Sequence, residues 1–186
     1  MESVIARPEN ESALVKQAQV DANSFAPLYE FYFPRVYNYV RYRVRDAQLT
    51  DDLTAQIFER TLANMQRYHA NQSPFGAWLF SIARNITNDH FRTQKRRRWL
   101  TLESLFNHAS TDPPPEIHAT DNDQHHRLLM AVATLSERER DLIALKFASH
   151  FNNRQIAALT GLSEQNVAII LYRSIRQLRL LLQEES

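Results

Sequence analysis

The sequence predicts an all-α protein of two small helical domains joined by a flexible linker. Apolar residues recur at helical spacing in two separate blocks, and three consecutive prolines at 113–115, which a helix cannot continue through, stand between them. Only 2 glycines occur among 186 residues, too few for the many tight turns of a β-sandwich or β-barrel. The expected boundaries are 1–98 for the first domain, 99–123 for the linker and 124–186 for the second domain.

Helix starts can be predicted along the first domain. One helical face carries apolar residues at spacing four: Leu28, Tyr32, Val36 and Val40. Pro34 lies within this run and predicts a kink or a junction of two helices. A second run has the same spacing: Leu53, Ile57, Thr61 and Met65. Asp51 and Asp52 are its candidate caps, while Ser73 and Pro74 predict a third start, with the proline at the first helical position.

The composition excludes several classes of function. The absence of cysteine removes disulfides, thiolate zinc sites and thiol catalysis, and it fits a cytoplasmic protein. No apolar run approaches membrane-spanning length, so no membrane insertion is expected. His125 and His126 are adjacent and point in different directions on a helix, which argues against a metal site. No catalytic residues, metal or cofactor are therefore predicted, and the chain is not expected to be an enzyme.

Charge is segregated along the chain although the net charge is only +1. Residues 84–98 hold six basic residues and one acidic residue, whereas residues 99–126 hold five acidic residues and no lysine or arginine. Between Phe75 and Trp99 these basic residues are interleaved with aromatic ones such as Trp78, Phe80 and Phe91. Cations neutralise phosphates and exposed rings stack on unpaired bases, so this helix predicts contact with melted DNA. Packing in the core is the alternative for the three aromatic side chains.

The second domain has the pattern of a helix-turn-helix. Ser136 with Glu139 and Asn152 with Gln155 predict capping boxes, and Gly161 predicts a helix end at positive φ. Small and apolar residues stand where two crossing helices would touch: Ala157, Leu162, Val167 and Ile170. The second helix, capped by Ser163, would enter the major groove with its N-terminal residues. A helical hairpin within a bundle is the alternative.

The chain resembles the extracytoplasmic-function (ECF) sigma factors of the sigma-70 family in four stretches: DDLTAQIFERTL, FGAWLFSIARNITNDHFRTQKRRR, LSERERDLIALKF and IAALTGLSEQNVAIILYRSIRQLR. These cover roughly residues 25–98 and 128–182. The resemblance implies a protein that binds core RNA polymerase and directs promoter-specific transcription initiation. Its implied partners are the β′ clamp helices and β flap of the polymerase, promoter DNA and, in addition, an anti-sigma factor.

The resemblance also assigns residues of the first domain, as the family's region 2. The helix that docks on the β′ clamp helices matches Asp51, Asp52, Leu53, Gln56 and Phe58, with glutamine where the family usually has glutamate. The surface that reads and melts the −10 element matches Trp78, Arg84, Asn85, Asp89, Arg92, Lys95, Arg96, Arg97 and Arg98. The loop 69–73 matches the position where a flipped base is pocketed.

The second domain resembles region 4, which reads the −35 element. Its implied DNA contacts are Glu164, Gln165, Asn166, Ala168, Ile169, Arg173 and Arg176. Ala168, Ile169 and Ile170 stand where the family commonly has polar residues, so base reading is expected from Glu164, Gln165 and Asn166. Two alternatives are open for the apolar residues: a methyl contact of Ala168 or Ile169 with thymine, or packing on another surface. The acidic linker is similar to the segment that threads toward the active centre of the polymerase, and a passive tether explains it equally well.

Two other functions fit parts of the sequence. A free-standing helix-turn-helix regulator would bind a palindromic operator as a dimer and need no polymerase. It leaves the basic cluster of the first domain unexplained, since that cluster lies outside the helix-turn-helix. A nucleic-acid-processing enzyme would need an acidic metal-binding constellation, and the sequence contains none that can be located.

Overall fold

The computed structural model describes residues 10–44, 46–104 and 123–184, and all regular secondary structure in these ranges is helical. The α-helices are α1 Glu11–Val20, α2 Ala26–Val44, α3 Ala47–Ala63, α4 Phe75–Ser104, α5 Asp123–Ala133, α6 Glu137–Phe147, α7 Asn153–Thr160 and α8 Glu164–Glu184. Two short 3₁₀ turns are present: Ala22–Phe25 precedes α2, and Met65–Arg67 follows α3. The all-α class predicted from the sequence is confirmed.

Of the two outcomes predicted at Pro34, the junction of two helices is wrong, because α2 runs as one helix through this residue. Proline lacks the N–H of a helical bond and costs about 3 kcal/mol in a helix interior. Leu28 on one side of the proline and Val36 and Val40 on the other are completely buried, so core packing holds both halves in one helix. The Arg35 guanidinium also donates to the Phe31 carbonyl over 2.7 Å in the same turn.

The start of α3 also differs from the prediction. Its N-cap is Asp46, whose Oδ1 accepts from the backbone N–H of Leu49 over 2.6 Å. Asp51 and Asp52 lie inside the helix with exposed side chains and cap nothing. The apolar face begins earlier than predicted, since Thr50 is buried and Leu49 packs against the core.

Helix α4 is longer than its basic segment. It begins at Phe75, after Pro74, whose carbonyl accepts from the N–H of Trp78 over 3.1 Å, so the proline precedes the first helical position instead of filling it. The helix continues to Ser104, six residues past the expected end of the first domain at 98. Its 30 residues correspond to a length of about 45 Å. The rest of the expected linker, 105–122, lies outside the described residues.

Local capping signals set the helix ends of the second half as predicted. Capping boxes join Ser136 with Glu139 and Asn152 with Gln155, and each includes both reciprocal hydrogen bonds. Gly161 ends α7 with φ 73°, in the left-handed region that glycine adopts without strain. The Ser163 hydroxyl then accepts from the backbone N–H of the third residue along and caps α8.

The two halves of the chain share one hydrophobic core in this structure. Helix α2 packs against α1, α3 and α4 on one side and against α5 and α6 on the other, while α4 also contacts α7. The ring of Phe80 in α4 meets that of Phe151, which precedes α7, edge to face at 5.1 Å. Phe80 is buried, so this ring packs in the core and is not exposed for stacking on a base.

Candidate nucleic-acid and polymerase-binding surfaces

A groove of about 520 Å³ lies between α3 and α4 and gathers several of the predicted −10 residues. Trp78, Asn85 and Asp89 line it from α4, because positions 78, 85 and 89 recur on one helical face. The opposite wall is formed by Arg60, Asn64 and Arg67, which sequence reasoning missed. We call this feature the α3–α4 groove. Its lining combines two cations, one carboxylate, two amides, two isoleucine side chains and one indole. The cations, amides and indole are groups that contact nucleic-acid strands.

Trp78 is half-buried at this groove. Its ring lies 5.1 Å from that of Tyr68 and 5.7 Å from that of Phe75, measured between ring centroids. These two rings fix the orientation of the indole, and the part that remains exposed faces the groove. Trp78 therefore packs on the core with one part of its ring and exposes the other part at the groove, so it fits both alternatives that the sequence left open, core packing and base stacking.

A second cavity, of about 920 Å³ and open to solvent, lies between α1 and the loop 69–73. Gln19 of α1 donates from Nε2 to the carbonyls of Met65 and Tyr68, over 3.1 and 2.9 Å, and so ties α1 to the start of the loop. The Tyr68 hydroxyl closes the other end by donating to the Ser73 carbonyl over 2.9 Å. Sequence reasoning identified the loop but missed the contribution of α1, whose Glu11 also lines the cavity.

The side chains at the basic end of α4 are largely exposed, and Lys95 pairs with Glu137 of α6 over 2.9 Å. Lys95, Arg96 and Arg97 are exposed, while the side chain of Arg98 lies outside the described part of the chain. Arg92 is exposed and pairs with Asp89, its neighbour one turn earlier, over 2.9 Å. Such an exposed pair contributes little to stability and leaves both groups accessible to a ligand.

Arg84 differs from Arg92, because its guanidinium is held by groups of two other helices, α6 and α7, and not by a neighbour on α4. Its Nε donates to Oδ2 of Asp141 over 2.7 Å, and its Nη1 donates to the Leu159 carbonyl over 3.1 Å. Asp141 also accepts from the buried Arg43 and, over 2.8 Å, from the Tyr39 hydroxyl. We call Tyr39, Arg43, Arg84 and Asp141 the Asp141 cluster. Burial, with the neighbouring Asp141 carboxylate, raises the pKa of Tyr39 far above its ordinary value, so its hydroxyl remains a donor.

The helix-turn-helix consists of α7 and α8. Val167 is completely buried, Leu171 nearly so, and Ile156 of α7 is buried beneath them, which fixes the crossing of the two helices. All the predicted −35 residues on α8 are exposed: Glu164, Gln165, Asn166, Ala168, Ile169, Arg173 and Arg176. Ile169 is 41% exposed and Tyr172, which sequence reasoning missed, is 68% exposed, so this face is partly apolar.

The residues predicted to dock on polymerase divide into two groups. Asp51, Asp52 and Gln56 are exposed on α3. Leu53 and Phe58 are buried and are inaccessible to a partner in this conformation. Phe58 packs beneath Tyr29 of α2, with ring centroids 4.7 Å apart, and so supports the outer surface from within.

Within 10–44, 46–104 and 123–184, no group of three or more histidine, aspartate or glutamate residues could hold a metal ion. No helix in these ranges is long and apolar enough to cross a membrane.

Taken together, an exposed recognition helix, a cationic groove with an aromatic wall and a basic helix end define an all-α DNA-binding protein with a helix-turn-helix. Comparison with known proteins gives its family. The family described as Sigma-70 region 2 matches residues 28–97, and the one described as Sigma-70, region 4 matches residues 125–178. The chain belongs to the ECF group of the sigma-70 family.

Curated relatives support this assignment. The chain is 30% identical over 174 residues to the ECF RNA polymerase sigma factor BldN of Streptomyces coelicolor, covering 93% of this chain and 66% of that protein. It is 25% identical over 158 residues to the ECF RNA polymerase sigma factor SigM of Bacillus subtilis, covering 83% of this chain and 92% of that protein. The chain is thus a sigma factor, a subunit that binds RNA polymerase and directs promoter-specific initiation, and the free-standing regulator is not favoured.

Solved structures show the same fold. The sigma factor RpoE of Bartonella quintana, in complex with the anti-sigma factor NepR, has a TM-score of 0.66 at 22% identity, covering 87% of this chain and 98% of that chain. CnrH, in complex with the cytosolic domain of CnrY, has a TM-score of 0.65 at 21% identity, covering 94% of this chain and 97% of that chain.

Proposed function

We propose that the two halves of this sigma factor divide promoter recognition between them. Residues 1–98 dock on core polymerase and read and melt the −10 element, residues 124–186 read the −35 element, and residues 99–123 connect them. The observation that carries this proposal is the α3–α4 groove, where Arg60 and Arg67 face Trp78 and Asn85. Cations beside an indole and an amide can hold the backbone of an unpaired strand and contact its bases at the same time.

The basic end of α4 extends the −10 surface. Arg92, Lys95, Arg96 and Arg97 are exposed beyond the groove and meet phosphates there, whereas Asn85 is placed for a base edge. Arg84 and Arg98 belong to the same surface, and Arg84 reaches DNA only after it leaves Asp141. The cavity beside the loop 69–73 receives the flipped base, and α1 contributes one of its walls.

Docking on the β′ clamp helices uses the exposed side of α3. Asp51, Asp52 and Gln56 present one polar surface there. Leu53 and Phe58 act from the core by fixing the position of α3 beneath that surface. Glutamine in place of the usual glutamate at 56 removes one charge from the interface.

The −35 element is read by the first two turns of α8. Glu164, Gln165 and Asn166 are exposed at its N-terminus, where a recognition helix meets base edges. Arg173 and Arg176 are exposed about two to three turns further along the helix and meet phosphates. Ala168 and Ile169 are exposed as well and contact thymine methyl groups. This element is therefore recognised with fewer hydrogen bonds than a polar helix would make.

The proposed function also implies a cellular compartment and further binding partners for this chain. A subunit of bacterial RNA polymerase works in the cytoplasm, by binding and without catalysis or a cofactor. The RpoE and CnrH structures are complexes with NepR and with the cytosolic domain of CnrY, and we propose that an anti-sigma factor similarly binds this chain. The β flap of the polymerase is the expected second contact of residues 124–186.

Run-off transcription with purified core polymerase and a library of upstream sequences tests the proposal. We expect the chain to enrich templates that share two elements, and we expect Asp51→Ala combined with Asp52→Ala to abolish co-purification with core polymerase. Asn166→Ala should change the preferred bases near −35 and leave the −10 preference intact, whereas Asn85→Ala should do the reverse. Glu30→Gln, an exposed change on α2, is the matched control. No enrichment with demonstrably active polymerase would refute the proposal.

A further inference from the structure

Gln19 holds the start of the loop 69–73 from outside the loop. Its amide nitrogen donates to the Met65 carbonyl over 3.1 Å and to the Tyr68 carbonyl over 2.9 Å, so both of its hydrogens are engaged. The 3₁₀ turn Met65–Arg67 ends at Tyr68, whose backbone is extended, with φ −74° and ψ 133°. Carbonyls at a point where helical structure stops need other donors, and the Gln19 amide supplies two hydrogen bonds there.

The position of Gln19 is set by the packing of α1. Val15 and Ala18 of this helix are buried in the core, and Gln19 is half-buried beside them at the edge of the same helical face. The helix packs against α2 and against the 3₁₀ turn Met65–Arg67. The amide of Gln19 is therefore carried by a packed helix, whereas the loop 69–73 contains no regular helix.

Two further hydrogen bonds shape the loop. The Tyr68 hydroxyl donates to the Ser73 carbonyl over 2.9 Å, and the N–H of Gln72 donates to the His69 carbonyl over 3.0 Å in a turn. Tyr68 thus serves both ends of the loop, because its own carbonyl accepts from Gln19 at the start and its hydroxyl bonds the carbonyl at the end. A displacement of Tyr68 would change the whole loop.

The groups able to distinguish one base from another stand on the loop itself. His69, Asn71 and Gln72 line the cavity beside α1 and are exposed. Imidazole and amide groups both donate and accept hydrogen bonds, so they can read the edge of a base. Such reading requires the groups to stay within about 0.5 Å of the productive geometry. Five residues outside any helix do not keep that geometry alone, because their backbones are free to sample several conformations.

We propose that Gln19 is a positioning residue for base discrimination, and that it keeps the loop 69–73 in the shape that accepts the correct base. This inference rests on the proposed role of the cavity as the site of the flipped base. Gln19 acts through its two N–H donors and through the loop. A side chain at this position that donates to both carbonyls preserves the discrimination, and one that cannot donate loses it.

Three substitutions separate the donors of Gln19 from its shape and charge. Gln19→Glu keeps the size of the side chain and removes both donors, while Gln19→Met removes them without adding a charge. Gln19→Lys keeps a group that can reach both carbonyls, since an ammonium has three N–H donors. Gln17→Glu places the same new charge on an exposed side chain of α1 and is the matched control.

Hydrogen exchange in the free, full-length chain tests the contact itself. The N–H of Gln72, which donates to the His69 carbonyl, reports on the shape of the loop. We expect this amide to exchange at least ~5-fold faster in Gln19→Glu and Gln19→Met than in the parent, because the loop opens more often. Gln19→Lys and Gln17→Glu should stay within ~2-fold of the parent. Equal exchange in the parent and in Gln19→Met overturns the proposal.

Competition between single-stranded −10 oligonucleotides tests the effect on recognition by the polymerase-bound chain. The oligonucleotides carry the element enriched in run-off transcription, with each of the four bases in turn at every position. We expect Gln19→Glu and Gln19→Met to reduce the preference at one position from at least ~5-fold to less than ~2-fold, and to keep the preference elsewhere. Gln19→Lys and Gln17→Glu should keep the preference of the parent at every position.

The ratio of affinities distinguishes positioning from a purely structural role. An added charge changes the affinity for all four bases alike, so it cancels in the ratio. A purely structural role would lower the free energy of unfolding in urea and leave the ratio unchanged, and that result overturns the proposal. Should Gln19→Glu lose its helical circular dichroism, Gln19→Met decides. No preference by the parent at any position refutes the proposed function of the cavity, whereas a preference that Gln19→Met retains refutes only the role of Gln19.

Discussion

Replacing Gly76 with alanine tests how closely α4 approaches α2. A Cβ built on Gly76 would lie 2.8 Å from the Tyr32 hydroxyl oxygen and 3.3 Å from its Cε1. The Tyr32 ring cannot turn aside, because it is buried, donates its hydroxyl to Glu11 and meets Phe75 edge to face at 5.5 Å. The added methyl group must therefore push the helices apart or displace the hydroxyl from Glu11.

The expected cost follows from these contacts. Overpacking a core by one methyl group costs about 1–3 kcal/mol, and loss of the hydrogen bond to Glu11 adds about 1 kcal/mol. About 1 kcal/mol of this cost is offset, because alanine has a higher helix propensity than glycine. We therefore expect Gly76→Ala to lower the free energy of unfolding by about 1–3 kcal/mol.

A double-mutant cycle isolates the clash. Tyr32→Phe removes the oxygen at 2.8 Å and leaves ring carbons at 3.3 and 3.4 Å, close to ordinary van der Waals contact. In this background Gly76→Ala should cost at least about 1 kcal/mol less than in the parent. Urea unfolding followed by circular dichroism, at constant slope, measures all four chains. Unchanged stability of Gly76→Ala, or effects that add within about 0.5 kcal/mol, would refute the reasoning.

Three further predictions concern other parts of the molecule. Gly161→Ala should lower the free energy of unfolding, measured in urea, by about 1–2 kcal/mol, because φ is 73° and no atom within 4 Å of the added Cβ could clash, so the cost is backbone strain. Gly161→Asn should cost less, and equal costs for the two variants would contradict this explanation. Arg60→Ala and Arg67→Ala should each weaken the binding of single-stranded DNA by the polymerase-bound chain. In anisotropy titrations each variant should also reduce the slope of log K against log salt by about 0.7, and an unchanged slope would mean that the side chain meets no phosphate. Burial and the Asp141 carboxylate raise the pKa of Tyr39 above its ordinary 10.0. The unfolded chain therefore loses this proton at a lower pH than the folded chain, so the free energy of unfolding falls as pH rises above about 10. Urea midpoints measured between about pH 8 and 11 should fall less steeply with pH in Tyr39→Phe.

The features that sequence predicted best are those fixed by neighbours in the chain. The capping boxes at Ser136 and Asn152 and the left-handed Gly161 depend on side chains within three or four residues, so the sequence is sufficient to identify them. Pro34 shows the opposite case, because the local preference for a break is overcome by residues packed on both sides of it. The cap at Asp46 was missed for a similar reason, since Leu49 and Thr50 join the core although their spacing did not indicate it.

The candidate site divides in the same way. Trp78, Asn85 and Asp89 could be grouped in advance because they share one face of one helix, whereas Arg60 and Arg67 reach the same groove from another part of the chain. Asp141 stands in the sequence ERERD, which is typical of a solvated helix start. Its burial depends on Arg43, 98 residues away, and no local pattern encodes that pairing.

The short connection between α4 and α5 limits how far the two halves of the chain can separate. Ser104 and Asp123 are separated by 18 residues, and an extended chain spans at most about 3.6 Å per residue, so the two ends stay within roughly 70 Å of each other. Tethering over such a distance gives an effective concentration on the order of millimolar. Dilution cannot separate partners tethered in this way, so contact between the two halves is a property of each single chain and is independent of how many copies are present.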